Sequence, residues 1–160
     1  MNIRRATISD VEALTRIIRM SYQTVAVKFD LNSSNCPKHP SNCTGEWIIA
    51  DFERGVTYFM LESDGKEIGC AALEKADSES CYLERLAVIP ENRNQGFGKS
   101  LVDYTFHEAK MVGCKRISIG IIAKQHELKN WYSRIGFKEG ITKSFNHLPF
   151  EVTFMECDII

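Results

Sequence analysis

The stretch richest in chemistry runs Leu86-Ala87-Val88-Ile89-Pro90-Glu91-Asn92-Arg93-Asn94-Gln95-Gly96-Phe97-Gly98-Lys99-Ser100. An apolar strand stops at Pro90, the chain turns through two glycines, and a helical apolar pattern begins. Such a turn brings unbonded amides and the positive end of a helix dipole to one point, which suits a phosphate. Glycine matters there because a side chain would hold the anion away from the backbone. Lys99 or Arg93 adds a cation for a charge-assisted contact.

Several anion sites share these features. Gly98-Lys99-Ser100 ends like the phosphate loop of nucleotide triphosphatases. That loop needs glycine where Arg93 stands, and no apolar strand ending in aspartate follows to hold magnesium. A dinucleotide-binding turn needs glycine where Leu101 stands. Two readings stay open: a glycine turn with no ligand, and the pattern Arg-x-x-Gly-x-Gly formed by Arg93, Gly96 and Gly98.

The elements that must position this turn follow from the periodicity. A short strand is expected over Ile3–Ala6. Ser9-Asp10-Val11-Glu12 has the form of a capping box and predicts a helix to about Val27. Thr44 caps a second helix that ends at Gly55. Strands follow over Val56–Leu61, Ile68–Leu73 and Cys81–Ile89, the first two joined by the hairpin signal Asp64-Gly65. A helix runs from Phe97 to Gly113, a strand over Arg116–Ile122, and a short helix over His126–Arg134. Two last strands occupy Phe137–Thr142 and Phe150–Ile159. Hairpins first and then one strand–helix–strand crossover predict a single-domain α+β fold. Its sheet is mixed, mostly antiparallel, of six or seven strands, with helices on both faces.

With the preceding Leu-Ala-Val strand, Arg93-x-x-Gly96-x-Gly98 resembles the acetyl-coenzyme A motif of the GNAT N-acetyltransferase superfamily. Tyr132-Ser133-Arg134-Ile135-Gly136-Phe137 is similar to that superfamily's Tyr-x-x-x-Gly-Phe, and the opening Ile-Arg-Arg-Ala-Thr-Ile-Ser-Asp resembles the usual start of the fold. The resemblance implies acetyl transfer from acetyl-coenzyme A to an amine by direct attack in a ternary complex. It implies that the backbone of Leu86, Ala87 and Val88 lies along the pantetheine arm. Amides of Asn94, Gln95, Gly96, Phe97, Gly98 and Lys99, with Arg93 and Ser100 beside them, would hold the pyrophosphate. Tyr132 would stand at the thioester sulfur, where a hydroxyl can donate a proton to the leaving thiolate. Gln125 and Leu128 stand where members commonly carry Asn and Ala. Gln125 can make the same amide contact, while Leu128 and Trp131 make the wall bulkier.

An aliphatic amine is an ammonium ion at neutral pH, so some group must accept its proton before attack. Glu84 is the candidate base, because regular alternation places it on one face with Leu86 and Val88. An ion-paired or solvated carboxylate is the competing reading. The segment Asn35-Cys36-Pro37-Lys38-His39-Pro40-Ser41-Asn42-Cys43 has spacings a zinc site could use, but no fourth ligand lies close in sequence. No metal is expected. The resemblance instead assigns this segment to the acceptor pocket, with His39 and Ser41 as contacts. His107, His126 and His147 have no partner pattern.

Composition narrows the partners. In 160 residues, 20 Lys and Arg face 21 Asp and Glu, a net charge of −1. That balance argues against a nucleic-acid or membrane-surface protein, while the resemblance implies an amine-bearing small molecule or peptide as partner. Met1–Thr7 carry two arginines with no apolar run behind them, which predicts a cytoplasmic chain without a secretory leader. The six cysteines are then expected as free thiols, with Cys70, Cys81, Cys114 and Cys157 packed in the core. A homodimer joined through the last strand, Val152 to Ile160, is a further expectation. The alternative function is a catalytically inactive module that binds coenzyme A or a nucleotide.

Overall fold

The computed structural model describes residues 1–159. Strand β1 (Asn2–Arg5) leads through a 3-10 turn into helix α1 (Val11–Lys28), and α2 (Gly45–Glu53) follows a long loop. Next come β2 (Thr57–Ser63), β3 (Lys66–Lys75), β4 (Ser80–Val88) and α3 (Phe97–Met111). The chain closes with β5 (Arg116–Ile122), α4 (His126–Ile135), β6 (Lys138–Lys143) and β7 (Val152–Asp158). The seven strands form one sheet in the order β1-β2-β3-β4-β5-β7-β6, antiparallel throughout except where β4 meets β5. The expected α+β class and its mostly antiparallel sheet are therefore present.

Side-chain alternation divides the helices between the two faces. A Cβ on Gly69 of β3 would come 3.2 Å from Leu101 of α3. On the opposite face Ala72 pairs with Tyr58, whose hydroxyl reaches Asp51 of α2. Phe59, next to Tyr58, meets Tyr104 of α3 edge to face at 5.2 Å. Thus α1 and α2 cover one face and α3 the other, with α4 beside α3 where Gly98 meets Trp131. Leu14, Ile17, Ile18, Ile48 and Leu101 are wholly buried between these layers. Each such side chain contributes about 1.5–3 kcal/mol by leaving water.

Three expectations need correction. The capping box starts at Thr7, not Ser9: Thr7 Oγ1 accepts from the Ser9 amide and Asp10 accepts from the Thr7 amide. Asp10 is held in that position by the two terminal guanidinium nitrogens of Arg4 at 2.8 Å, which bring its carboxyl down to about 2. The last strand cannot join two copies by strand pairing, because β7 lies between β5 and β6 with both edges bonded. Ile160 lies outside the described residues. Finally, Cys81 and Cys114 form a disulfide, while Cys36, Cys43, Cys70 and Cys157 are free. The parallel register of Ser80–Tyr82 with Arg116–Ser118 brings the start of β4 beside the turn preceding β5. Distance along the sequence hid that proximity.

Candidate active site

Strands β4 and β5 pair only over Ser80–Tyr82 and Arg116–Ser118, then part as β5 continues along β7. The Ile89 amide bonds to the Ile68 carbonyl of β3 at 2.9 Å. Alternation therefore turns the peptide groups of Leu86 and Val88 away from β3 into the gap, while those of Ala87 face β3. The Leu86 carbonyl accepts from the Tyr22 hydroxyl at 3.3 Å and that of Val88 from Arg93 Nε at 3.2 Å. Their amides are left for an extended ligand to pair with, as a strand would.

The gap opens onto the glycine turn. Gly96 has φ +85°, and α3 starts directly after it with no side-chain cap and no acid in its first turn. Among the described residues, the amides of Asn94, Gln95, Gly96, Phe97, Gly98 and Lys99 donate to no protein acceptor. The first bonded amide is that of Ser100, to the Gly96 carbonyl at 3.1 Å. Six open amides at an uncapped helix N-terminus are the donor set that a pyrophosphate requires. Gly98 lies against the Trp131 ring, 3.5 Å from where its Cβ would be.

The charged side chains of the turn face their own protein. Arg93 donates to Val88, to Thr24 Oγ1 at 3.0 Å and to the Ser21 carbonyl at 2.7 Å, tying the turn to α1. Lys99 pairs with Asp103 at 2.8 Å, and the Ser100 hydroxyl bonds back to Gly96. Gln125 is half-buried at the start of α4, its amide bonded to the Ile122 carbonyl.

Tyr132 is buried on α4, its ring edge-on to Trp131 at 4.9 Å and to Phe137 at 5.2 Å. No described residue hydrogen-bonds its hydroxyl. Burial raises its pKa well above that of an ordinary phenol, so it stays protonated and able to donate.

On the α1 and α2 face, β4 breaks its own alternation. Ala72 of β3 pairs with Glu84, yet Cys70 pairs with Ala87, so β4 carries one extra residue over this interval. Arg85 occupies the bulge with φ +48°. Glu84 consequently shares a face with Ala87, and Leu86 and Val88 fall on the other; the same-face expectation for Glu84 fails because a bulge resets the period of two. Glu84 is half-buried among charges, and burial first, then the Glu74 carboxylate, push it up to about 7. Arg85 turns onto the same face as Glu84. It binds the buried Asp51 carboxylate and the Tyr58 hydroxyl, and lies over the Trp47 ring. The left-handed backbone costs about 1–2 kcal/mol for a residue other than glycine.

The loop before α2 packs on α1. His39 and Ser41 are buried, with His39 Nδ1 bonded to Ser41 Oγ at 2.7 Å, and the imidazole meets Tyr22 edge-on at 5.7 Å. Burial lowers the His39 pKa. Cys36 and Cys43 sit in separate apolar clusters, so the three zinc-spaced residues do not converge.

Residues 54–139, more than half of the chain, match the family model for the acetyltransferase (GNAT) domain. The chain belongs to the GNAT acetyltransferase family. It is an N-acetyltransferase by that membership, with acetyl-coenzyme A as cosubstrate. It is 25% identical over 139 residues, 85% of this chain and 81% of the other, to the uncharacterized N-acetyltransferase YjgM of Escherichia coli. It is 30% identical over 93% of its length to the amino-acid acetyltransferase of Neisseria meningitidis, but spans only 29% of that protein. Among solved structures, PaiA N-acetyltransferase of Thermoplasma acidophilum, in complex with coenzyme A, superposes with TM-score 0.82 at 18% identity, covering 98% of both chains. The ribosomal-protein-S18-alanine N-acetyltransferase of Escherichia coli gives TM-score 0.78 at 17% identity over 99% of this chain and 93% of the other.

Four residues of this candidate site escaped sequence reasoning. Tyr22 continues the Ile18 stripe of α1, where a tyrosine reads as core. Asp51 was the best available signal, an acid one turn from Ile48 on an apolar helix face, which demands a buried partner. Its partners Tyr58 and Arg85 lie on β2 and β4, and nothing in their spacing links them.

Proposed function

We propose that the chain acetylates a primary amine by direct attack on the thioester in a ternary complex, with Glu84 as base and Tyr132 as acid. The observation that carries this reading is the open edge of β4 running straight into the six unbonded amides of Asn94–Lys99. Acetyl-coenzyme A supplies the activated acetyl group. Leu86 and Val88 pair with the pantetheine arm, and the amides of the turn hold the pyrophosphate while Gln125 flanks it. Arg93 fixes the turn against α1 instead of touching phosphate.

Glu84 removes a proton from the acceptor ammonium ion, and Tyr132 donates its hydroxyl proton to the departing thiolate. A carboxyl titrating close to neutral is matched to that task. His39 and Ser41 support Tyr22, which stands between the loop and the Leu86 carbonyl. Amino acids are the acceptor class favoured first, because relatives named amino-acid acetyltransferase align over most of this chain.

The test is thiol release from acetyl-coenzyme A against a panel of amino acids, peptides and small amines. Tyr132→Phe is expected to lower kcat by about 100-fold or more with the responding amine, with coenzyme A affinity unchanged. Coenzyme A binding without release for any amine would refute the enzymatic reading, and wild-type turnover in the variant would remove Tyr132.

A further inference from the structure

The polar face under α2 is an alternating chain of acids and bases with one member left over. Arg54, which caps the C-terminus of α2, grips both carboxylate oxygens of Glu74, at 3.0 and 3.3 Å. Its remaining nitrogen binds Asp51 Oδ1 at 2.8 Å, and Arg85 takes the other Asp51 oxygen. Glu84 ends this series without a cation of its own. The β3–β4 register sets it opposite Ala72, diagonal to Glu74 on the same face, within reach of the Glu74 carboxyl. Two carboxylates this close repel, so the pair gives up its last proton at a higher pH than a lone carboxyl would.

We propose that Glu74 is a positioning residue that shares a single proton with Glu84, and that Arg54 keeps Glu74 ionised so that the proton settles on Glu84. This rests on the reading of Glu84 as the base. The active form is the pair with both carboxyls ionised. An N–H bond of the acceptor ammonium breaks, the electron pair stays on nitrogen, and an O–H bond forms on Glu84. That hydrogen then bonds to Glu74, and the proton later leaves to water. The other groups facing Glu84 are Arg85 on its own strand, Asp51 from α2 and Tyr22 from α1, with Tyr58 of β2 behind Arg85. Glu74 itself is held below the usual carboxylate range by Arg54, which separates the two members of the pair.

The experiment is a carboxyl-carbon NMR titration of the whole protein labelled at glutamate, with the Glu84 signal assigned by its loss in Glu84→Gln. The midpoint for Glu84 is expected near neutrality. It should fall by about one pH unit in Glu74→Gln, which removes the neighbouring charge, and rise in Arg54→Met, which removes the cation. An ordinary carboxylate midpoint, or one unmoved by Glu74→Gln, overturns the pairing. The pH–rate profile with acetyl-coenzyme A and the responding amine separates the two claims. Loss of the acid limb in Glu84→Gln with no displacement in Glu74→Gln keeps the base and overturns the pair. A limb that persists in Glu84→Gln removes Glu84 from the chemistry and Glu74's role with it.

Discussion

The two sides of β4 solve different problems with different materials. Toward α3, the turn from Arg93 to Ser100 is built from backbone: its working groups are amides, and its side chains are occupied with their own protein. Toward α2, the cluster of Glu74, Glu84, Asp51, Arg54, Arg85 and Tyr58 is built from polar and charged side chains, with Asp51 and Tyr58 buried beneath it. A backbone site tolerates most substitutions except those that change its dihedral angles. A side-chain site changes with every substitution. In the proposed function, coenzyme A takes the first side and the acceptor amine the second.

That contrast can be broken at defined points. The largest effect is expected from Arg85→Met, which takes a guanidinium from buried Asp51 while Arg54 and Tyr58 still face it. Loss of about 2–3 kcal/mol in denaturant unfolding, below the full value for an orphaned buried charge, should come with unchanged coenzyme A affinity. A parallel loss of affinity would show that the two sides are not separate. Next is Gly96→Val, where φ +85° makes any β-branched residue cost about 1–2 kcal/mol. Calorimetric titration should show coenzyme A binding weakened roughly tenfold with the Glu84 titration untouched.

The smallest concerns the pH dependence of stability. The folded Glu84 carboxyl sits above its ordinary value of 4.5, so folding favours its protonated form. That stabilisation is fully present below about 4.5 and is lost as pH rises through about 7. Glu84→Gln cannot ionise, and should gain about 1 kcal/mol on the wild type between pH 4.5 and 8 once solvent screening is allowed for. Equal pH dependence in both proteins would mean that Glu84 titrates as an exposed acid.

The same division explains what the sequence disclosed. The backbone side was legible, because glycine pairs, a strand end and a helix start are local signals; the turn, α3 and the Tyr132–Phe137 corner all stand where spacing placed them. The polar cluster was not. Its members come from α2, β2, β3 and β4, and the bulge at Arg85 reversed the alternation on which the placement of Glu84 depended. The Cys81–Cys114 bond escaped for the same reason, since only the crossover to β5 brings its ends together.

That bond also alters the topology of the molecule. Its partners are 33 residues apart, and between them lie Glu84, Arg85, the glycine turn and all of α3. This part of the protein is a closed covalent ring, whose closure takes about 3–4 kcal/mol of freedom from the unfolded chain in the entropic account. Tyr132 lies outside the ring and Glu84 inside it. A protease that cut the exposed turn at Asn94 or Gln95 would open the ring without releasing a fragment, leaving the two halves tethered by sulfur until a reductant arrived.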